Sequence, residues 1–134
     1  MNKYFFLLLS LIGSVKSNQE EKDLIDYLFE DHNPDVRPVY EFNEPLEVQL
    51  GLGVKTIESF DQMEETITLN IWERMNWMDT TLVWDDEVSD LTFISLDPSY
   101  IWTPDLELLN AATKPQIYTL KGGLYLYNDG SVIY

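Results

Sequence analysis

Residues 45–55 read "PLEVQLGLGVK", and their apolar side chains fall on every second position: Leu46, Val48, Leu50, Leu52 and Val54. Successive side chains of an extended strand point to opposite faces. This spacing therefore gathers five aliphatic groups on one side and leaves Glu47, Gln49, Gly51 and Gly53 on the other. A chain carrying such a run needs a sheet, and the expectation is a strand with that one face buried. The two glycines lie inside the strand pattern with no helix after them, which speaks against a phosphate-binding loop.

A second stretch, "IWERMNWMDTTLVWDD" at residues 71–86, holds three of the four tryptophans. Ile71, Met75, Met78 and Leu82 also fit helical spacing, but the flanking "TITLNIW" and "TTLVW" are rich in β-branched and aromatic residues. The reading is a long strand from about Glu65 to Trp84. Odd-numbered Ile67, Leu69 and Ile71 give way to even-numbered Trp72, Leu82 and Trp84, which implies a bulge or twist near its middle. Trp72 and Trp84 then share the buried face, and Trp77 points away from it. Two readings of Trp77 stand side by side. One is aromatic packing across strands or beneath a terminal helix; the other is a binding wall whose ring face attracts organic cations.

The rest of the chain supplies one helix and several short strands. Residues 1–17 have Lys3, an apolar run from Tyr4 to Ile12 and small Ser14 and Ser17, the layout of a secretory signal peptide. That run is about half the ~20 residues a membrane-spanning helix needs. A domain is expected over residues 18–134. Leu24, Tyr27 and Leu28 form a helical stripe, with acids near its start and Asn33-Pro34 after its end. "LTFISL" reads as a strand, Pro98 and Pro104 preclude a central strand between them, and "LYLY" and "SVIY" flank Asn128-Asp129-Gly130 as a hairpin. The fold class expected is mainly β: an N-terminal α-helix followed by an incomplete, immunoglobulin-like β-sandwich.

Composition narrows the function. The formal charge is −16, and removing residues 1–17, which carry two lysines and no acid, moves it to −18. Such a chain repels nucleic acid and anionic lipid. With no cysteine there is no disulfide, thiol catalysis or cysteine-held metal. His32, the single histidine, reads as a solvated loop residue. Asp85, Asp86 and Glu87 read as a polar turn, with calcium ligation as the alternative. No catalytic constellation, metal pair or cofactor motif is found, so neither an enzyme nor a cofactor protein is expected.

In order, "NIWERMNWMDTTLVWD", "IWTPDLELLNAA" and "YNDGSVIY" resemble the extracellular ligand-binding domain of Cys-loop receptors, the pentameric neurotransmitter-gated ion channels, and most closely nicotinic acetylcholine receptor subunits. Trp77, Asp79, Leu82 and Trp84 meet a W-x-D-x-x-L-x-W pattern. Trp102, Pro104 and Asp105 meet W-x-P-D. Asn110, Ala112, Gly130 and Val132 also fall at family positions. The resemblance implies a β-sandwich with an N-terminal helix, five subunits in a ring, and agonist at each interface between a principal and a complementary face. It assigns Trp77 to the complementary-face tryptophan of binding loop D, with Met75 and Asp79 on the same face, and Tyr125 and Ile133 to loop E. Trp72, Trp84, Trp102, Pro104 and Asp105 are carried over as structural positions.

The departures are as informative. Leu109 stands in loop A where acetylcholine-binding subunits carry tyrosine, Thr113 where aspartate is usual, and Tyr134 where tryptophan is frequent. The expectation is thus a partial ligand-binding domain contributing mainly a complementary face. Its partners would be other subunits and a small organic cation such as acetylcholine. It would lie on the extracellular side, with a membrane reached only through helices that this chain does not contain. The competing readings are a secreted acetylcholine-binding or decoy protein and an unrelated secreted glycan-binding β-sandwich.

Overall fold

A computed structural model describes residues 19–41, 43–113 and 123–134. Residues 1–17, expected from the sequence to be a signal peptide, lie outside the described residues. A helix, α1, covers residues 19–28. Five antiparallel strands follow: β1 (Gln49–Asp61), β2 (Thr66–Met78), β3 (Phe93–Leu96), β4 (Leu124–Tyr127) and β5 (Ser131–Ile133). They form one sheet in the order β1-β2-β5-β4-β3, so the chain is mainly β with an N-terminal helix, as a β-sandwich-like domain requires. A single 3-10 turn, Pro98–Tyr100, occupies the proline-rich segment, begun by the Asp97 carboxylate accepting from the Ser99 amide at 3.0 Å.

Register divides the sheet into two faces. Trp77 pairs with Val132, Val132 with Leu126, and Leu126 with Ile94, so one row crosses four strands on the inner face. All four are buried, together with Leu96, Leu124 and Met75. Leu24 of α1 is buried in the same cluster, and Ile25, Leu28 and Phe29 pack against it. Tyr27, placed on the same stripe by helical spacing, is instead exposed, because the core meets α1 along a narrower strip.

The outer face carries its own row: Gln49, Asn76, Ile133, Tyr125 and Ser95, one residue from each strand in turn. The hairpin that sets this register is closed by Gly130, whose φ of +85° lies in the left-handed region that Asp-Gly anticipates. Its amide donates to the Tyr127 carbonyl at 2.9 Å.

Three expectations are corrected. β1 is a strand, but every one of its residues is exposed: Leu46 and Val48, which precede it, pack against the core, whereas Leu50, Leu52 and Val54 do not. β2 ends at Met78, short of Leu82 and Trp84, which reach the core from the following turn rather than from the strand. The irregularities expected in β2 lie in β1 instead. Val54 pairs with Ile71 and Thr56 with Asn70; Ile57 pairs with Leu69 and Ser59 with Thr68. Lys55 and Glu58 are therefore the extra residues of two bulges.

Those bulges keep Leu50, Leu52, Val54 and Ile57 on the face of β2's Ile67, Leu69 and Ile71, continuous with the inner face but uncovered. Exposure there runs from 40% at Leu69 to 62% at Ile57.

Candidate ligand-binding face

The sheet separates the residues grouped from the sequence as one site. Met75, Trp77 and Asp79 lie on the inner side, buried at 8%, 4% and 0% exposure. The Trp77 ring meets Trp102 edge-on with centroids 6.1 Å apart, and its Nε1 has no hydrogen-bond partner among the described residues. An indole enclosed in this way cannot form the wall of an external pocket. The expectation that Trp77 faces outward is overturned, and the packing reading of that residue holds. Periodicity failed because strand parity states which residues share a face, not which face is inner.

Asp79 is a turn former. Its Oδ1 accepts from the Thr81 amide at 3.0 Å and the Thr81 hydroxyl at 2.6 Å, and its own amide donates to the Gly130 carbonyl at 2.7 Å. The same pairing of an aspartate with the hydroxyl residue two positions on recurs at Asp97/Ser99 and Asp129/Ser131. At Asp129 the Ser131 hydroxyl, then the Ser131 amide, hold the carboxyl below its usual pKa.

Tyr125 and Ile133 do lie together, as cross-strand partners on the outer face; Tyr125 is 41% exposed and its ring is edge-on to Phe93. Along β2, the side chains on their face belong to Trp72, Arg74, Asn76 and Met78. Trp72, carried over as a structural residue, is 60% exposed and so belongs to the surface rather than the core. Gly53 and Gly51 pair with Trp72 and Arg74, so neither has a side chain directly opposite it on β1. Asn76 lies between Trp72 and the Tyr125–Ile133 pair in the lattice of the sheet, with its Oδ1 buried and unpartnered among the described residues. Trp72 and Asn76 are four steps apart along the strand, a span of about 13 Å.

Local charge runs against the chain's acidity. Lys55 holds its ammonium 5.3 Å from the centroid of the Trp72 ring, within the range of a cation–π contact, and Arg74 follows two residues along the same face. Sequence reading missed Trp72 and Lys55 as surface-site residues. Counting parity back from the odd-numbered Ile67, Leu69 and Ile71 puts Trp72 on the opposite face from them, which is where it lies.

The remaining candidates are placed as follows. Trp84 is buried, and its Nε1 donates to the Leu91 carbonyl at 2.6 Å. Trp102 and Pro104 are half-buried and Asp105 is exposed. Leu109, at the loop A position, is 95% exposed. His32 departs from its solvated reading: its ring is edge-on to Phe29 at 5.2 Å, and its Nε2 is buried. The Asp85 carboxylate accepts from the Glu87 amide at 3.1 Å and so organises its own turn. Among the described residues no group of three or more potential ligands is poised to hold a metal, and no helix is long and apolar enough to cross a membrane.

Residues 21–134 match the family described as neurotransmitter-gated ion-channel ligand binding domain. The chain is similar to acetylcholine receptor subunit gamma of Gallus gallus, 30% identical over 96% of this chain and 25% of that protein. It is similar to subunit delta of the same species, 36% identical over 78% of this chain and 21% of that protein. To acetylcholine receptor subunit alpha of Danio rerio it is 32% identical, over 81% of this chain and 25% of that protein. The chain thus spans about a quarter of the length of these curated relatives.

Proposed function

Because the chain belongs to the neurotransmitter-gated ion-channel ligand-binding-domain family, we propose that it serves as part of the extracellular domain of a nicotinic-like subunit and lends a complementary face to an agonist pocket. The observation that carries this reading is the surface placement of Trp72 on the face that bears Tyr125 and Ile133. That face replaces the grouping around Trp77. Its ligand is a small organic cation such as acetylcholine, attracted to the exposed indole ring by the ring quadrupole. Its partners are other subunits of a pentamer, one of which supplies the principal face. The exposed Leu109 fits this division of labour, since an aliphatic loop A side chain offers a cation neither a ring nor a hydroxyl.

The absence of native cysteine makes the test direct. Tyr125→Cys and Ile133→Cys each introduce the chain's single thiol, which a trimethylammonium-bearing thiol reagent modifies. Acetylcholine is expected to slow that modification when the chain is co-expressed with an acetylcholine receptor alpha subunit, and Trp72→Ala to abolish the protection. Protection that survives Trp72→Ala would rule out this face.

A further inference from the structure

We propose that Lys55 is a tethered cation that occupies the Trp72 ring and lowers the affinity of this face for organic cations. The inference rests on the assignment of Trp72 to the ligand-binding face and adds a specificity-determining residue to it.

Lys55 is the extra residue of the first bulge in β1. Val54 pairs with Ile71 and Thr56 with Asn70, leaving Lys55 without a partner in the ladder. A bulged residue is re-aimed by the local bend, and here the ammonium comes to lie 5.3 Å from the Trp72 centroid. Directly opposite Trp72 stands Gly53, which has no side chain to hold the ammonium off the ring. A Cβ at Gly53 would meet Trp72 Cβ at an ordinary 3.8 Å, so the glycine is not forced by crowding. Its effect is to leave the ring open to Lys55.

The ring can hold one cation closely. A quaternary ammonium, which donates no hydrogen bonds, depends on the ring surface that Lys55 already covers. It must displace the ammonium and then bind beside a like charge that the backbone keeps within reach. Arg74, on the same face, adds a second positive charge. The lysine thereby works against the cation selectivity that the indole confers. Its removal is expected to tighten binding of a quaternary ammonium on the order of 5-fold, the combined scale of an exposed cation–π contact and a screened charge repulsion.

The test uses the full chain with its tryptophan indoles labelled with nitrogen-15. The Trp72 signal is assigned by its loss in Trp72→Phe. Tetramethylammonium chloride is titrated against sodium chloride at matched ionic strength. Lys55→Gln should shift the half-point of the Trp72 response about 5-fold lower, whereas Lys55→Arg should titrate as the parent does. Circular dichroism is expected to be unchanged, since Lys55 is exposed. Equal titration of the parent and Lys55→Gln would overturn the role of Lys55 while leaving Trp72 as the binding ring. No response in either would overturn both.

Discussion

The amide of Asp79 donates to the carbonyl of Gly130 at 2.7 Å, and a Cβ built on Gly130 would stand 2.4 Å from the Asp79 carbonyl oxygen. The turn after β2 is thus pressed against the β4–β5 hairpin at a distance only glycine permits. Two backbone constraints meet here, the positive φ of Gly130 and the close approach. Gly130→Ala is expected to destabilise the chain by about 2–4 kcal/mol, from the left-handed conformation and the overpacking together. Urea unfolding followed by tryptophan fluorescence measures it.

The two β2 tryptophans should separate stability from binding. Trp77→Ala empties a core position edge-on to Trp102 and is expected to cost about 3–5 kcal/mol. Trp72→Ala removes an exposed ring and should leave stability within about 0.5 kcal/mol while abolishing the protection of the Tyr125→Cys thiol by acetylcholine. Unfolding curves and the thiol-protection assay, run on both variants, check the pair.

Acid should loosen the β4–β5 hairpin. The Asp129 carboxyl is held below its usual pKa, first by the Ser131 hydroxyl and then by the Ser131 amide. Ionised Asp129 therefore favours the folded turn above the pKa of the unfolded carboxyl. That contribution disappears as pH falls through the lowered folded value. An NMR titration of the Asp129 side chain should report the depressed midpoint, and Ser131→Ala should return it toward the ordinary aspartate value. Because the group is almost fully exposed, the effect on global stability is expected to be small.

The uncovered face of the β1–β2 hairpin should drive self-association. Leu50, Leu52, Val54, Ile57, Ile67, Leu69 and Ile71 share one exposed apolar face, and β1 is the edge strand of the sheet among the described residues. Leu52→Lys combined with Ile57→Lys is expected to shift sedimentation toward monomer. Both residues are 62% exposed, so the unfolding midpoint should hardly move. Unchanged sedimentation would assign any association to another surface.

Alternation along residues 46–54, the Asn-Asp-Gly turn and the ordered tryptophan motifs were enough to establish a mainly β chain, its closing hairpin and its likeness to a receptor ligand-binding domain. These are local properties, set by strand periodicity, left-handed turn chemistry and motif spacing. Which face is inner was decided only by the tertiary structure. Trp77 is buried because Val132, Leu126 and Ile94 align beside it and the Trp102 ring packs edge-on against its own. Trp72 is exposed because its even parity puts it on the other side, opposite a bare Gly53. A strand's sequence fixes the relative direction of its side chains. The sign of that direction comes from strands distant in sequence, through the apolar area they jointly remove from water.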